Sequence, residues 1–195
     1  DVLGSRGLGD VYKRQVFKEG TYEIESERRG YALELAVDFV RMEYTRHRFW
    51  EKDDTPVVPL KSQTLEDVIE TWPQGKINVR IGDYMFRPHQ KWTITAVPDG
   101  GGYLGGPYYK IVIEGTNRAL AATADAEVVT VPEFTGAPEQ LWRIDQLTDG
   151  TYRIMPKEVP GTDKELVLVS VGDSTPSLGE FDMNSDNSKW NFRDH

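Results

Sequence analysis

Glu139-Gln140-Leu141-Trp142-Arg143-Ile144 is the stretch on which the chain turns, because looser copies stand on either side, at His89-Gln90-Lys91-Trp92-Thr93-Ile94 and Asn187-Ser188-Lys189-Trp190-Asn191-Phe192. The three tryptophans are 50 and 48 residues apart. Self-similarity at a fixed period of that size marks a repeat architecture. A second feature keeps the same phase. Gly20-Thr21-Tyr22-Glu23-Ile24, Pro107-Tyr108-Tyr109-Lys110-Ile111 and Gly150-Thr151-Tyr152-Arg153-Ile154 each supply a turn residue, an aromatic and an isoleucine two places on. Each unit thus opens on a Tyr-x-Ile strand and closes on a tryptophan.

Composition limits what such units can build. A chain of 195 residues with 38% apolar and 11% aromatic residues is globular and long enough for one good core or two small ones. A net charge of −9 speaks against a nucleic-acid surface, since phosphate contacts need clustered Lys and Arg. The absence of cysteine excludes a disulfide framework and a thiolate metal site. No run approaches the roughly 18 apolar residues of a membrane span, and no membrane partner is expected.

Asp1 to Gln15 shares nothing with the repeats and holds no apolar run fit for a secretory signal. The run Ser5-Arg6-Gly7-Leu8-Gly9-Asp10-Val11-Tyr12-Lys13-Arg14-Gln15 resembles translated sequencing-adaptor sequence at the ends of metagenomic gene models. On that reading residues 1–15 are not native, and 16–195 is the tail of a longer protein whose other domains are missing. Deleting Asp1–Gln15 is then expected to leave the thermal midpoint unchanged, and a fall of several degrees would show that the segment belongs to the domain.

In the first unit the odd positions Tyr31, Leu33, Leu35, Val37 and Phe39 are apolar while Glu34 and Asp38 are polar, the alternation of a half-buried strand. The same stretch also fits a helix through Leu33, Val37, Val40 and Tyr44. Arg41 to Ile81 has no counterpart in the other units and reads as an insertion. Within it, Thr64-Leu65-Glu66-Asp67 has the capping-box form, and Leu65, Val68, Ile69 and Trp72 follow at helical spacing before Pro73, giving a short helix at 65–72. The second unit gives strands at Tyr109–Ile113, Ala119–Ala122 and Glu127–Val131, and the third repeats the order with Tyr152–Met155 and Glu165–Val171, the segment Leu178–Phe181 leading on to Trp190. The Gly-rich run from Gly100 to Gly106 lacks the Lys and helix start of a phosphate loop and reads as a flexible link. Many short strands repeated three times predict an all-β, closed or nearly closed architecture.

A Gln-x-Trp closing each of three units resembles the ricin-type β-trefoil lectin domain, over roughly residues 16–195. Gln90, Trp92, Gln140 and Trp142 match the motif fully, and Trp190 matches with Ser188 in place of glutamine. The resemblance implies a β-trefoil of three pseudo-repeats, about 16–98, 99–146 and 147–195, with a helix-containing insertion in the first. It implies that the glutamines and tryptophans are fold elements, and that the function is glycan binding by a module of a larger protein, extracellular, periplasmic or at the cell surface, that acts on polysaccharide. It implies no catalysis by the module itself and no cofactor. Trefoils also serve as protease inhibitors, and here the insertion or the loop Val131–Pro138 would be the inhibitory loop. A trefoil with lost sugar sites that only packs against a parent domain is a third reading.

In this family the sugar is held by a carboxylate in the strand after Tyr-x-Ile, an aromatic ring on the apolar face of the pyranose, and an amide just before the closing glutamine. Carried over residue by residue, the first unit offers Glu34 and His89, the second Ala121 and Glu139, the third Leu168 or a neighbour and Asn187. The best site is therefore expected in the first unit, from Glu34 and His89 with Trp50 of the insertion as platform. Glu34 has a plainer reading, a solvated residue on the outer face of its strand. Phe134 and Phe181 read as platforms or as core residues, and Tyr44, Phe49 and Trp50 as platforms or as pins holding the insertion. His47, His89 and His195 show no metal spacing, so no metal site is expected.

Overall fold

A computed structural model describes residues 17–28, 31–37, 64–103, 106–172 and 175–194. The segment Asp1–Gln15 and the residues Tyr44, Phe49 and Trp50 lie outside them. The chain divides into two compact units, one comprising residues up to Ala36 and from Gly75 onward, the other Val37–Gln74.

Among its described residues the larger unit holds twelve strands, four to a repeat. The first repeat has β1 (Gly20–Ser26), β2 (Ala32–Leu35), β3 (Ile77–Gly82) and β4 (Trp92–Tyr103). The second has β5 (Gly106–Ile113), β6 (Ala119–Ala122), β7 (Val128–Val131) and β8 (Trp142–Gln146). The third has β9 (Tyr152–Pro156), β10 (Val167–Val171), β11 (Thr175–Gly179) and β12 (Trp190–Asp194). The outer strands of the repeats hydrogen-bond in the order β1, β4, β5, β8, β9, β12, and β12 returns to β1. This closes a six-stranded antiparallel barrel with no free edge. The inner strands form the hairpins β2–β3, β6–β7 and β10–β11. The architecture is a β-trefoil.

The two motifs that mark the repeats face each other in the ladder. Tyr22 pairs with Trp92, Tyr109 with Trp142 and Tyr152 with Trp190, so each opening tyrosine lies opposite the closing tryptophan of its own repeat. All three tryptophans are fully buried. Each donates its indole N–H at 2.9 Å to a carbonyl of its repeat's second strand, those of Leu33, Leu120 and Leu168. A buried indole needs such an acceptor, and here the bond ties hairpin to barrel three times over. Donor and acceptor are 22 residues apart in the second and third repeats and 59 in the first, so the first repeat carries 37 extra residues inside a conserved geometry.

Around the pseudo-threefold axis the tyrosines meet a residue that precedes the first strand. The ring of Phe17 lies 5.1 Å from that of Tyr22, 5.8 Å from Tyr109, 5.7 Å from Tyr152 and 4.6 Å from Phe192, mostly edge-on or tilted as aromatic quadrupoles prefer. The Tyr109 hydroxyl donates to the Phe17 carbonyl at 2.9 Å. Phe17 is buried and acts as the plug of the aromatic cluster.

Several boundaries differ from the sequence reading, each for a local reason. The insertion is shorter than expected, because Ile77, Val79 and Ile81 alternate with polar residues and form β3. The described residues of the Gly-rich run are strand instead of link. Gly100 to Tyr103 extends β4 and Gly106 opens β5, with Gly102 paired to Pro107 and Tyr103 to Gly106. A Cβ on Gly102 would stand 2.5 Å from the Gly106 carbonyl oxygen, so glycine is there for close strand approach. The repeat boundary expected after residue 98 falls inside β4. Strand β2 covers Ala32–Leu35, and all four residues are buried, so its even positions do not face solvent.

In the smaller unit, helix α1 spans Leu65–Glu70, two residues shorter than expected. Its capping box is complete. The Asp67 amide donates to the Thr64 hydroxyl and the Thr64 amide to the Asp67 carboxylate, both at 3.1 Å.

Candidate functional site

The site begins with the glutamine of the Gln-x-Trp motif, which ends a one-turn 3-10 segment in the first two repeats, at Pro88–Gln90 and Pro138–Gln140. In both repeats its carbonyl accepts the amide five residues earlier, Met85 to Gln90 at 2.8 Å and Thr135 to Gln140 at 2.7 Å. The loop leading into the last strand is thereby fixed in the same way twice. The third repeat has Ser188 there, buried, donating to the Asp182 carbonyl at 3.3 Å.

Gln90 does more than its counterpart. Its amide nitrogen donates to Glu34 Oε1 and to the Asp83 carbonyl, each at 2.7 Å. Glu34 sits on β2 opposite Arg80 on β3, and Arg80 Nε donates to Glu34 Oε2 at 2.6 Å. His89 Nε2 lies 3.6 Å from the same oxygen. Glu34 is 3% exposed, so the reading of it as a solvated outer-face residue is wrong. A buried carboxylate must be paired, and this one is held from three directions.

Burial alone would raise the Glu34 pKa, but the nearby His89 imidazole and the hydrogen bonds from Arg80 and Gln90 together outweigh it and hold the carboxyl below its usual 4.5. The folded value lies below the unfolded one, so the pairing stabilises the protein above about pH 4.5 and the benefit is lost as pH falls through the folded value. The Glu34→Gln variant is expected to be less stable than the parent at pH 7 by about 1.5–3 kcal/mol, the worth of hydrogen bonds to a charged group. The two should converge on acidification. Urea melts at pH 7 and pH 3 check this, and a gap that stays constant with pH would contradict it.

Register fixes what the other repeats offer at these positions. The tryptophan acceptors Leu33, Leu120 and Leu168 are equivalent, so Glu34 corresponds to Ala121 and Val169, and Arg80 to Val129 and Ser177. Leu168, offered from the sequence, is a fully buried core residue, and the equivalent position is its neighbour Val169. The structure therefore brings Glu34 and His89 together and adds Arg80 and Gln90, which the sequence reading had left out of the site. Asn187 is exposed in the third repeat, where it occupies the place of His89 and makes no part of the Glu34 cluster. Trp50 lies outside the described residues.

Each repeat also carries an aromatic eight or nine residues before its closing tryptophan, and its neighbour is the middle residue of Tyr-x-Ile. Lys110 lies 5.3 Å over the Phe134 ring and Arg153 4.9 Å over that of Phe181, so these half-buried rings are cation-covered and belong to neither simple class expected. In the first repeat the pair is Tyr84 with Glu23. Burial, then the charges of Glu23 and Glu114, push the Tyr84 hydroxyl up to about 12. Two residues on, Phe86 is 72% exposed at φ 57°, its ring 4.7 Å from that of Tyr84. The residue in the same place of the second repeat is Gly136, at φ 85°. A left-handed backbone costs a bulky side chain roughly 1–2 kcal/mol.

A separate concavity of about 810 Å³ lies along the long β9–β10 connection, lined by Tyr108, Arg143, Met155, Lys157 and residues 158–165. Lys157 spans its rim, donating to the Gly100 carbonyl at 2.7 Å and lying 5.2 Å over the Tyr108 ring. Among the described residues no group of three or more His, Asp or Glu could hold a metal ion, and no helix is long and apolar enough to cross a membrane.

Residues 88–176 match the family model of the ricin-type beta-trefoil lectin domain-like proteins. The resemblance to the ricin-type β-trefoil holds. The designed threefold-symmetric protein ThreeFoil is similar at a TM-score of 0.58 and 19% identity, over 90% of this chain and 99% of that one. The Polyporus squamosus lectin, bound to the epitope Neu5Aca2-6Galb1-4GlcNAc, is similar at 0.58 and 16% identity, over 91% of this chain and 50% of that one. A mosquitocidal holotoxin is similar at 0.60 and 14% identity, over 92% of this chain. The chain spans 18% of the holotoxin's length. No curated protein matches in sequence. At these identities the ricin-type likeness outside 88–176 is one of fold.

Proposed function

We propose that this lectin-like trefoil is a non-catalytic glycan-binding module, the C-terminal part of a larger protein, secreted or at the cell surface, that acts on polysaccharide. The observation that carries the reading is the polar cluster of the first repeat, set where the other repeats have Ala121 with Val129 and Val169 with Ser177. Glu34 is spent internally, and its effect is to fix the Arg80 guanidinium, whose side chain remains 38% exposed. A part-exposed guanidinium set beside a buried carboxylate makes the first repeat the polar one at this position, which suits a hydroxyl-rich ligand. The sugar-bound Polyporus squamosus lectin supports glycan as the ligand class. The larger lengths of the lectin and the holotoxin support a module within a longer chain.

The experiment is titration of a glycan selected on an array into the parent, Arg80→Lys and Asn187→Ala. Arg80→Lys keeps a charge beside Glu34 but removes the guanidinium. Binding of the parent at millimolar Kd or tighter, weakened by about tenfold or more in Arg80→Lys and little changed in Asn187→Ala, is expected. Equal affinity in all three would place the site outside the first repeat.

A further inference from the structure

A second buried carboxylate, in the barrel wall, has no donor. Glu23 is the middle residue of the first Tyr-x-Ile, where the other repeats have Lys110 and Arg153. It is 5% exposed, and among the described residues no hydrogen bond or ion pair reaches its carboxylate. Its register partner is Arg193 on β12. That guanidinium serves the next acid along β1 instead, with Arg193 Nε 2.7 Å from Glu25 Oε2 and Nη2 3.4 Å from Oε1. In the third repeat the corresponding pair is direct, since Arg153 lies opposite Asp145 and donates to it at 2.8 Å. The groups that face Glu23 are few. They are Glu25 on its own strand, Arg193 on β12 and, from the β3–β4 loop, Tyr84, whose hydroxyl is pushed up by burial and by the charges of Glu23 and Glu114. On the other side β4 sets Thr93 against Thr21, and Lys91, one place before Trp92, forms no ion pair among the described residues.

We propose that Glu23 is a proton-controlled latch on the β1–β12 pair that closes the barrel: protonated, it leaves Arg193 to Glu25 and β12 stays seated, and ionised, it competes with Glu25 for that guanidinium and loosens β12. A lone buried carboxylate is costly when charged and tolerable when neutral. The pair has little positive charge to spare, because Asp194 stands opposite Tyr22 and Glu27 is bonded to Asn191. Burial and the Glu25 charge therefore outweigh Arg193 and hold the Glu23 carboxyl above its usual 4.5. The folded value lies above the unfolded one, so the contribution of Glu23 is complete below about pH 4.5 and is lost as pH rises through the folded value. Glu34 has the opposite sign. The two buried carboxylates of the first repeat thus bracket a mildly acid range in which the repeat is held best, whatever the module binds.

The test uses the full chain, as parent, Glu23→Gln and Glu25→Gln, between pH 4 and pH 8. Carbon-13 NMR of the Glu23 carboxyl in the parent, which needs no variant to fold, should give a titration midpoint above 4.5. A midpoint at or below that value would overturn the proposal. Parent and Glu23→Gln are expected to melt nearly together at pH 4, with the parent several degrees lower at pH 8. Glu34 titrates in both chains and cancels from the difference. Amide exchange across Trp190–Asp194, compared between the two chains at equal pH, should be about tenfold faster in the parent at pH 8 and alike at pH 4. Glu25→Gln releases Arg193 to Glu23 and should move the Glu23 midpoint to lower pH. An unmoved midpoint there would overturn the competition for Arg193, and equal exchange at pH 8 would overturn the loosening of β12. A parent more stable than Glu23→Gln at pH 8 would show that ionised Glu23 is well paired, and the latch would not exist.

Discussion

Trp142→Ala is expected to lower stability by about 3–5 kcal/mol, the range for emptying a buried tryptophan site. The indole is fully enclosed, and its removal both opens a cavity and strips the Leu120 carbonyl of its donor. The barrel strand β8 and the hairpin strand β6 would then lose the bond that joins them. At roughly 2–4 °C per kcal/mol for a chain of this size, the midpoint should fall by about 10 °C. Trp142→Phe separates the two contributions, since it keeps most of the ring and orphans the carbonyl, a cost of about 1–3 kcal/mol. Because Trp92 and Trp190 make the same bond, their alanine variants should behave alike in chemical denaturation. A loss below about 1 kcal/mol at any of the three would mean that the repeats are not energetically equivalent.

Phe17→Ala is expected to cost a similar amount, about 3–5 kcal/mol, although Phe17 precedes the first strand. Four rings converge on it, and each aromatic contact adds about 0.5–1.5 kcal/mol beyond the area buried. The hydroxyl of Tyr109 binds the backbone of residue 17, so a substitution there leaves that bond intact and isolates the side chain's share. Phe17→Leu should recover part of the loss by refilling volume without the ring edges. Equilibrium unfolding in urea measures both variants. A change within 0.5 kcal/mol for Phe17→Ala, the range of ordinary surface substitutions, would show that the cluster closes without its plug.

The trefoil was legible because its two motifs are the two sides of one contact. Tyr22 and Trp92 face each other in the ladder, as do their counterparts, so both recur in phase along the chain. What was not legible was long-range. Alternation placed Glu34 on a wet face, a rule that fails for a hairpin strand covered on both sides, and its partner Arg80 lies 46 residues away across the insertion. Gly102 was read for its flexibility when its role is close approach within a strand pair. β3 carried its own signal in Ile77, Val79 and Ile81, which the charged and aromatic composition before it obscured. Phe17 precedes the first strand and has no counterpart in the other repeats, so it had no periodic signal at all. Phe86 could have been found by aligning the repeats through Gln90 and Gln140, which sets it against Gly136.

The most direct test of the central claim is capture of the purified chain on a glycan array, with the same preparation assayed for inhibition of a panel of serine, cysteine and aspartic proteases. The account predicts retention by a restricted set of glycans and no protease inhibition. An intact, folded chain that retained no glycan and inhibited a protease would contradict it.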